Sequence, residues 1–176
     1  NYKWLLKFAN NTPSPQKNFV FYDETVDPRL KFTKIGYSRL MEGNYGIGKQ
    51  IHTIVKRIIL TMEDGSTKEI QSEADKDGNG LIDLTKYGTV VGWRMEMKDD
   101  FVLQSGQGIY LNSYTSFKDP EKTRYDENDA TKNVYKNTGR VTYKTQSNVA
   151  KDQSADWSFK LIPMKESFEI AKTTDY

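Results

Sequence analysis

Oxygen-bearing side chains recur at alternate positions between residues 75 and 83, in the segment Asp75-Lys76-Asp77-Gly78-Asn79-Gly80-Leu81-Ile82-Asp83. Calcium binds six to eight oxygens, and a calcium loop supplies them from positions one, three, five, seven and nine, with glycine at position six. In that frame Asp75, Asp77, Asn79 and Asp83 are side-chain ligands, and Leu81 is the carbonyl ligand. The spacing therefore predicts a calcium site, and calcium is the one cofactor that the sequence suggests.

The closing position of this loop does not match a complete calcium site. Position twelve should be a bidentate Glu, but the residue there is Lys86. Water or a distant acid would have to supply the missing oxygens, so we expect a Kd on the order of 10⁻⁴ to 10⁻³ M, as in extracellular modules. The alternative is a surface turn between strands, because Asp, Asn and Gly also dominate turns.

Residues that could perform catalysis are scarce. The chain has one histidine, His52, and no cysteine, which excludes disulfides, zinc–thiolate sites and cysteine nucleophiles. The carboxylates of Asp99-Asp100 and Asp126-Glu127 are neighbours in sequence, whereas a glycosidase needs two carboxyls that face each other across a cleft. We therefore predict that the chain is not an enzyme.

The composition is that of a soluble domain with a polar surface. Among 176 residues the net charge is +2, and the mean hydropathy is −0.78. Basic and acidic residues are interspersed, and no apolar run is long enough to span a bilayer, so we expect neither nucleic acid binding nor membrane insertion. We expect residues 1–176 to form a single domain excised from a longer protein.

Alternation of apolar and polar residues dominates the chain, and helical periodicity is nearly absent. The clearest case is Val91, Trp93, Met95 and Met97, which alternate with Gly92, Arg94, Glu96 and Lys98. Many short alternating runs separated by turn residues predict an all-β, antiparallel β-sandwich. The predicted core comprises Trp4, Leu6, Phe8, Phe21, Ile58, Leu60, Trp93, Met95 and Trp157.

A group of aromatic and amide side chains is the candidate ligand-binding site. Tyr110, Asn112 and Tyr114 share one face of a predicted strand from Ile109 to Phe117. Exposed aromatic rings beside amides stack on sugars or anchor a protein partner. The alternative is that this face packs against the second sheet.

The order of several short motifs resembles a known family. The chain contains, in order, a strand ending in Asn10-Asn11, Phe19-Val20-Phe21-Tyr22-Asp23, Ile35-Gly36-Tyr37, Glu63-Asp64-Gly65-Ser66-Thr67-Lys68 and Val90-Val91-Gly92-Trp93-Arg94-Met95-Glu96-Met97. Over roughly the first 115 residues this order resembles the repeated, immunoglobulin-like β-sandwich domains of large cell-wall-anchored surface proteins of Gram-positive bacteria.

The resemblance implies a role outside the cell. It implies an immunoglobulin-like, all-β antiparallel sandwich on the bacterial cell surface, attached to the cell wall through segments outside this chain. Its function would be non-catalytic, either adhesion or spacing in a stalk. Its partners would be a host or environmental protein or glycan and neighbouring domains of the same protein. The alternative function is a carbohydrate-binding module attached to a secreted enzyme, and flanking sequence would discriminate between the two.

Some members of that family carry Lys–Asn isopeptide crosslinks. Such a bond requires a lysine buried in an apolar site, where desolvation lowers its pKa enough for the neutral amine to attack. The candidates are Lys7 and Lys56, and Lys56 interrupts a predicted apolar strand face that includes Ile58 and Leu60. The alternative is a lysine that reaches solvent from a strand edge.

Overall fold

The computed structural model describes residues 1–42, 45–46, 53–71 and 80–163. Within these ranges the strands are β1 Tyr2–Ala9, β2 Gln16–Val26, β3 Leu30–Glu42, β4 Tyr45–Gly46, β5 Val55–Met62, β6 Thr67–Ile70, β7 Leu81–Asp83, β8 Val90–Met97, β9 Val102–Leu103, β10 Gln107–Phe117, β11 Val134–Thr145 and β12 Ala150–Lys160. Short 3-10 helices lie at Thr85–Tyr87, Pro120–Lys122 and Ala130–Asn133. None of the helices in the described ranges has the length and apolar character needed to cross a membrane.

The strands form one continuous antiparallel sheet that folds over on itself. The strand order is β1-β10-β3-β8-β2-β11-β12, with β7 and β4 added to β3, β5 and then β6 added to β8, and β9 added to β2. A single residue pair, Phe32 with Val90, joins β3 to β8, and the sheet turns there. One layer therefore contains β1, β10, β3 and β7, and the other contains β5, β8, β2, β11 and β12. The predicted fold class, an all-β, immunoglobulin-like antiparallel sandwich, is confirmed.

The core lies between these two layers and is rich in aromatic rings. Phe19 of β2 is 1% exposed, and its ring centroid lies 5.4 Å from that of Phe8 in the facing layer and 5.3 Å from that of Tyr143. Every predicted core residue is buried except Trp157, which is partly buried and packs against the edge of the core. The difference arises because Trp157 lies on β12, a terminal strand of the sheet.

Strand β8 has the orientation that its alternation predicts, except at one residue. Trp93 and Met95 are buried, whereas Arg94 and Glu96 are half-exposed. Val91, which the alternation assigns to the core face, is only half-buried, and the preceding Val90 is fully buried. The reason is an irregularity in register, since Gly92 pairs with Thr61 of β5 and Val90 pairs with Met62.

A second register shift in β5 explains the lysine that interrupts its apolar face. Val55 pairs with Met97 and Arg57 pairs with Glu96, which leaves Lys56 as an extra residue. The bulge turns Lys56 outward, where its ammonium lies 3.4 Å from the Asp99 carboxylate.

Candidate functional site

The outer face of the β1-β10-β3 layer carries the three predicted ligand-binding residues. The strand register sets the outward residues of β1, β10 and β3 side by side in rows that cross the strands. Taken in that strand order, the rows are Lys3–Tyr114–Lys34, Leu5–Asn112–Gly36 and Lys7–Tyr110. The next outward position of β10 is Ser116, which pairs with Lys31. We call this surface the β10 face. The structure thus brings Tyr110, Asn112 and Tyr114 together on one surface, as predicted.

All three predicted residues are half-buried, so the β10 face is not the packed interior of the sandwich. The inward residues of the same strand, Ile109, Leu111, Ser113 and Thr115, are at most 2% exposed. The alternative in which the tyrosine face packs against the second sheet is therefore wrong, because the opposite side of β10 makes that contact.

A glycine lets Tyr114 pack closely against the sheet. A Cβ atom at Gly36 would lie 3.6 Å from a ring carbon of Tyr114 and only 2.6 Å from a Leu81 methyl group. These two side chains therefore occupy the space above the Gly36 backbone. Any larger residue at position 36 would displace Leu81 and crowd the Tyr114 ring.

The other tyrosine of this face contacts a lysine. The Lys7 ammonium lies 5.1 Å from the centroid of the Tyr110 ring, within the range of a cation–π contact. At an exposed site such a contact contributes about 0.5–1 kcal/mol. Lys7 therefore stays on the outer surface beside Tyr110.

Asn112, between the two tyrosines, has an unusual amide. Its Oδ1 atom is buried and accepts no hydrogen bond from the described residues. A buried acceptor without a donor costs roughly 1–3 kcal/mol, and such groups in folded proteins call for an explanation.

The charges of the β10 face are mostly positive. Lys3, Lys7 and Lys34 are exposed and Lys31 is half-buried, and none of them forms an ion pair with another residue in the described part of the chain. The acid in these rows is Asp83 of β7, opposite Lys34. Its Oδ1 accepts hydrogen bonds from the Thr85 amide at 2.9 Å and hydroxyl at 2.6 Å, and these bonds, together with the charge of Lys34, lower the pKa of Asp83.

On the outer face of the second layer, two arginines are paired with acids. Arg57 forms an ion pair with Glu96, and Arg140 contacts Asp152 at 2.9 Å. The Arg140 guanidinium also lies 4.6 Å from the centroid of the Tyr22 ring. Arg140 beside Tyr22 is thus paired with an acid, whereas Lys7 beside Tyr110 forms no ion pair with the described residues.

A pocket of about 540 Å³ adjoins the β10 face at its Ser116 end. Its walls include the rings of Tyr2 and Phe117 and the side chains of Lys31 and Lys118. Lys118 is paired with Glu63 at 2.8 Å, so Lys31 is the cation in this wall without an acidic partner among the described residues.

Most of the predicted calcium loop lies outside the described residues. This holds for Asp75, Asp77 and Asn79, while Leu81 and Asp83 belong to β7, beside β3. Within the described residues, no group of three or more His, Cys, Asp or Glu side chains is placed to hold a metal. Calcium binding by this loop therefore stays a prediction.

The core contains a carboxylic acid that the sequence analysis did not identify. Asp23 of β2 is 3% exposed, and its Oδ2 accepts a hydrogen bond of 2.8 Å from the amide of Asn137, which is fully buried. Desolvation raises the pKa of Asp23 to about 7, against the lowering effect of hydrogen bonds from Asn137 and Ser113. A signal was present in the sequence, because Asp23 continues the alternating inward face of Phe19 and Phe21.

The two lysines suggested for an isopeptide crosslink do not lie in an apolar environment. Lys7 is exposed on the β10 face, and Lys56 is exposed at the β5 bulge. The crosslink hypothesis for these two lysines is therefore wrong, because it requires burial of the amine.

Comparisons with known proteins identify no family for this chain. No family model and no curated protein matches the chain. Among solved structures, the chain is similar to the crystal structure of ACE19, the collagen-binding subdomain of the Enterococcus faecalis surface protein ACE. The likeness covers 90% of this chain and 86% of that chain, with 10% sequence identity and a TM-score of 0.42.

Proposed function

We propose that this chain is a non-catalytic, extracellular domain of a bacterial surface protein that adheres to its ligand through the β10 face. The observation that carries the proposal is the joint placement of Tyr110, Asn112 and Tyr114 on an outward, half-buried surface. Half-buried aromatic rings offer large contact areas that lose little conformational freedom on binding. A purely spacing domain has no need of this cluster.

The surroundings of these residues support a role in binding. Tyr114 packs over Gly36 and Tyr110 lies beside Lys7, so both rings are held before any ligand arrives. Preorganised side chains bind with a smaller entropic cost than mobile ones. The buried Oδ1 of Asn112, which has no donor among the described residues, has the character of a polar group retained for a function other than stability.

Single substitutions on the two layers test this proposal. The purified protein would be applied to immobilised collagen, fibronectin, heparin, hyaluronan, chitin and dextran, and bound protein would be measured by surface plasmon resonance. We expect binding to at least one surface, and Tyr110→Ala or Tyr114→Ala should each weaken it about tenfold or more, since a lost aromatic anchor costs about 2 kcal/mol or more.

Tyr22→Ala is the matched control, because Tyr22 is also half-buried but lies on the outer face of the second layer. We expect it to bind as the unaltered protein does. Binding that Tyr22→Ala weakens, and that Tyr110→Ala and Tyr114→Ala leave intact, would contradict the proposal. Failure to bind any surface would favour a spacer.

We also propose that calcium stabilises the domain. Its ligands would be Asp75, Asp77, Asn79, Leu81 and Asp83. Calcium that binds only the folded chain would stabilise it by about 2.7 kcal/mol at 100 times the Kd. We expect the thermal midpoint to rise in millimolar calcium relative to excess chelator, and Asp77→Ala should abolish the rise. No shift and no heat of binding by calorimetry would reduce the loop to a turn.

A further inference from the structure

We propose that the ligand of the β10 face is a linear anionic polysaccharide that lies along β10. This inference rests on the proposed function and specifies the class of ligand. Lys3 and Lys7 of β1 line one side of β10, and Lys31 and Lys34 of β3 line the other. Since neighbouring strands are about 4.8 Å apart, the two lysine rows are separated by about 10 Å at the backbone.

The central strip between these rows suits a sugar chain. Tyr110, Asn112, Tyr114 and Ser116 follow one another along β10 at alternate positions, over about 20 Å. The apolar faces of sugar rings stack on aromatic side chains, and sugar hydroxyls bond to amide and hydroxyl groups. The lysines on both sides would meet carboxylate or sulfate groups that project from such a chain.

The sheet topology disfavours an extended peptide as the ligand. An extended peptide binds by adding a strand to an open sheet edge, where unpaired backbone groups are available. Strand β10 is hydrogen-bonded to β1 on one side and to β3 on the other, so it has no open edge. The nearest open edge is that of β1, and a peptide added there would lie beside the row of Lys3 and Lys7 and not over Tyr110 and Tyr114.

The arrangement of charge and aromatic rings distinguishes the β10 face from the other outer face. On the second layer Arg57 and Arg140 are bound to Glu96 and Asp152, and the exposed Lys136 and Lys144 lie on β11, whose outward positions carry no aromatic ring. On the β10 face Lys3, Lys7 and Lys31 form no ion pair with the described residues, whereas Lys34 lies opposite Asp83, whose pKa is lowered by hydrogen bonds from Thr85 and by the charge of Lys34. Clustered, unneutralised cations attract a polyanion and make its binding dependent on salt.

The test compares two sets of three lysine substitutions that remove equal charge. One variant carries Lys3→Gln, Lys7→Gln and Lys34→Gln on the β10 face. The control carries Lys136→Gln, Lys144→Gln and Lys160→Gln at exposed positions of β11 and β12. Calorimetry would measure binding of a heparin octasaccharide, a hyaluronan octasaccharide and a neutral dextran at low and at raised sodium chloride.

We expect at least one anionic octasaccharide to bind, the β10-face variant to lose about tenfold or more in affinity, and the control to lose less than twofold. Salt should weaken binding by the unaltered protein. Binding of heparin alone would identify sulfate as the recognised group, and binding of both anions would identify the carboxylate that they share.

Some results would overturn the inference while the proposed function survives. One such result is that neutral dextran or a protein surface binds through Tyr110 and Tyr114, while neither the lysine substitutions on the β10 face nor added salt changes the affinity. An equal loss of affinity in the control variant would also overturn the inference, because nonspecific electrostatic attraction between the positively charged protein and the polyanion would then explain binding. If neither tyrosine affected binding to any surface, the proposed function itself would fall.

Discussion

Replacing Asp23 by asparagine is expected to abolish most of the change in folding stability between about pH 4 and pH 7. In the folded protein burial raises the pKa of Asp23 to about 7, from an ordinary value of 3.8. The unfolded chain therefore releases this proton near pH 4, whereas the folded chain retains it until about pH 7. Across that interval the folded state binds more protons, so the free energy of unfolding falls as pH rises.

The expected size of the effect is large. Raising the pKa from 3.8 to about 7 corresponds to a contribution of roughly 4 kcal/mol at most to the free energy of unfolding. This contribution is present at low pH and is lost above pH 7. The surroundings agree with a protonated acid at lower pH, since Oδ1 of Asp23 and Oδ1 of Asn137 are both buried acceptors without donors among the described residues. A proton on Asp23 brings a donor to this acceptor-rich site.

Urea denaturation at pH 5 and pH 8 checks this prediction. The unaltered protein should be less stable at pH 8 than at pH 5, and Asp23→Asn should be nearly insensitive to this change and more stable than the unaltered protein at pH 8. Asp64, Asp83 and Asp129 do not interfere, because side-chain hydrogen bonds from Ser66, Thr85 and Thr131 lower their pKa values, and their effect occurs below about pH 4. A decline that persisted in Asp23→Asn would refute the assignment.

Phe19→Ala is expected to destabilise the fold by about 3–5 kcal/mol, which is the usual cost of removing a buried aromatic ring. Phe19 is 1% exposed, and its ring meets Phe8 of the facing layer, Tyr143 of β11 and Phe101 beyond β8. Its loss would leave a cavity between the two layers that these rings cannot easily fill. The midpoint of urea denaturation, at unchanged slope, is the measurement.

Phe159→Ala is the control for this substitution, because Phe159 is an equally large ring on the terminal strand β12. It stacks on Tyr2 at 3.7 Å and on Tyr135 at 5.0 Å, but it is only half-buried. We expect a cost of about 1–2 kcal/mol. If Phe159→Ala were the more destabilising of the two, the core would not be centred on Phe19.

Alternation predicts this fold well wherever strand pairing is regular. Trp93 and Met95 face the core as the sequence indicates, because a period of two sets the direction of every side chain on a strand. The prediction is wrong at Val91 and at Lys56, where register shifts let one residue escape the alternation. A bulge depends on pairing with a distant strand, and local sequence does not encode it.

The candidate site was predicted in part. The shared face of Tyr110, Asn112 and Tyr114 follows from their spacing, but their flanking lysines belong to β1 and β3, and only the register of the sheet unites them. The buried acid shows the opposite limitation. Asp23 stands at an inward position of its strand, yet its partner Asn137 is more than a hundred residues away in sequence.

Nuclear magnetic resonance titration of the ¹⁵N-labelled protein with a heparin octasaccharide tests the central claim most directly, because it locates the ligand without any substitution. We expect the amide shifts to cluster on β1, β10 and β3, around Lys3, Tyr110 and Tyr114. Shifts that cluster instead around Tyr22 and Arg140, or an absence of shifts at millimolar ligand, would contradict it.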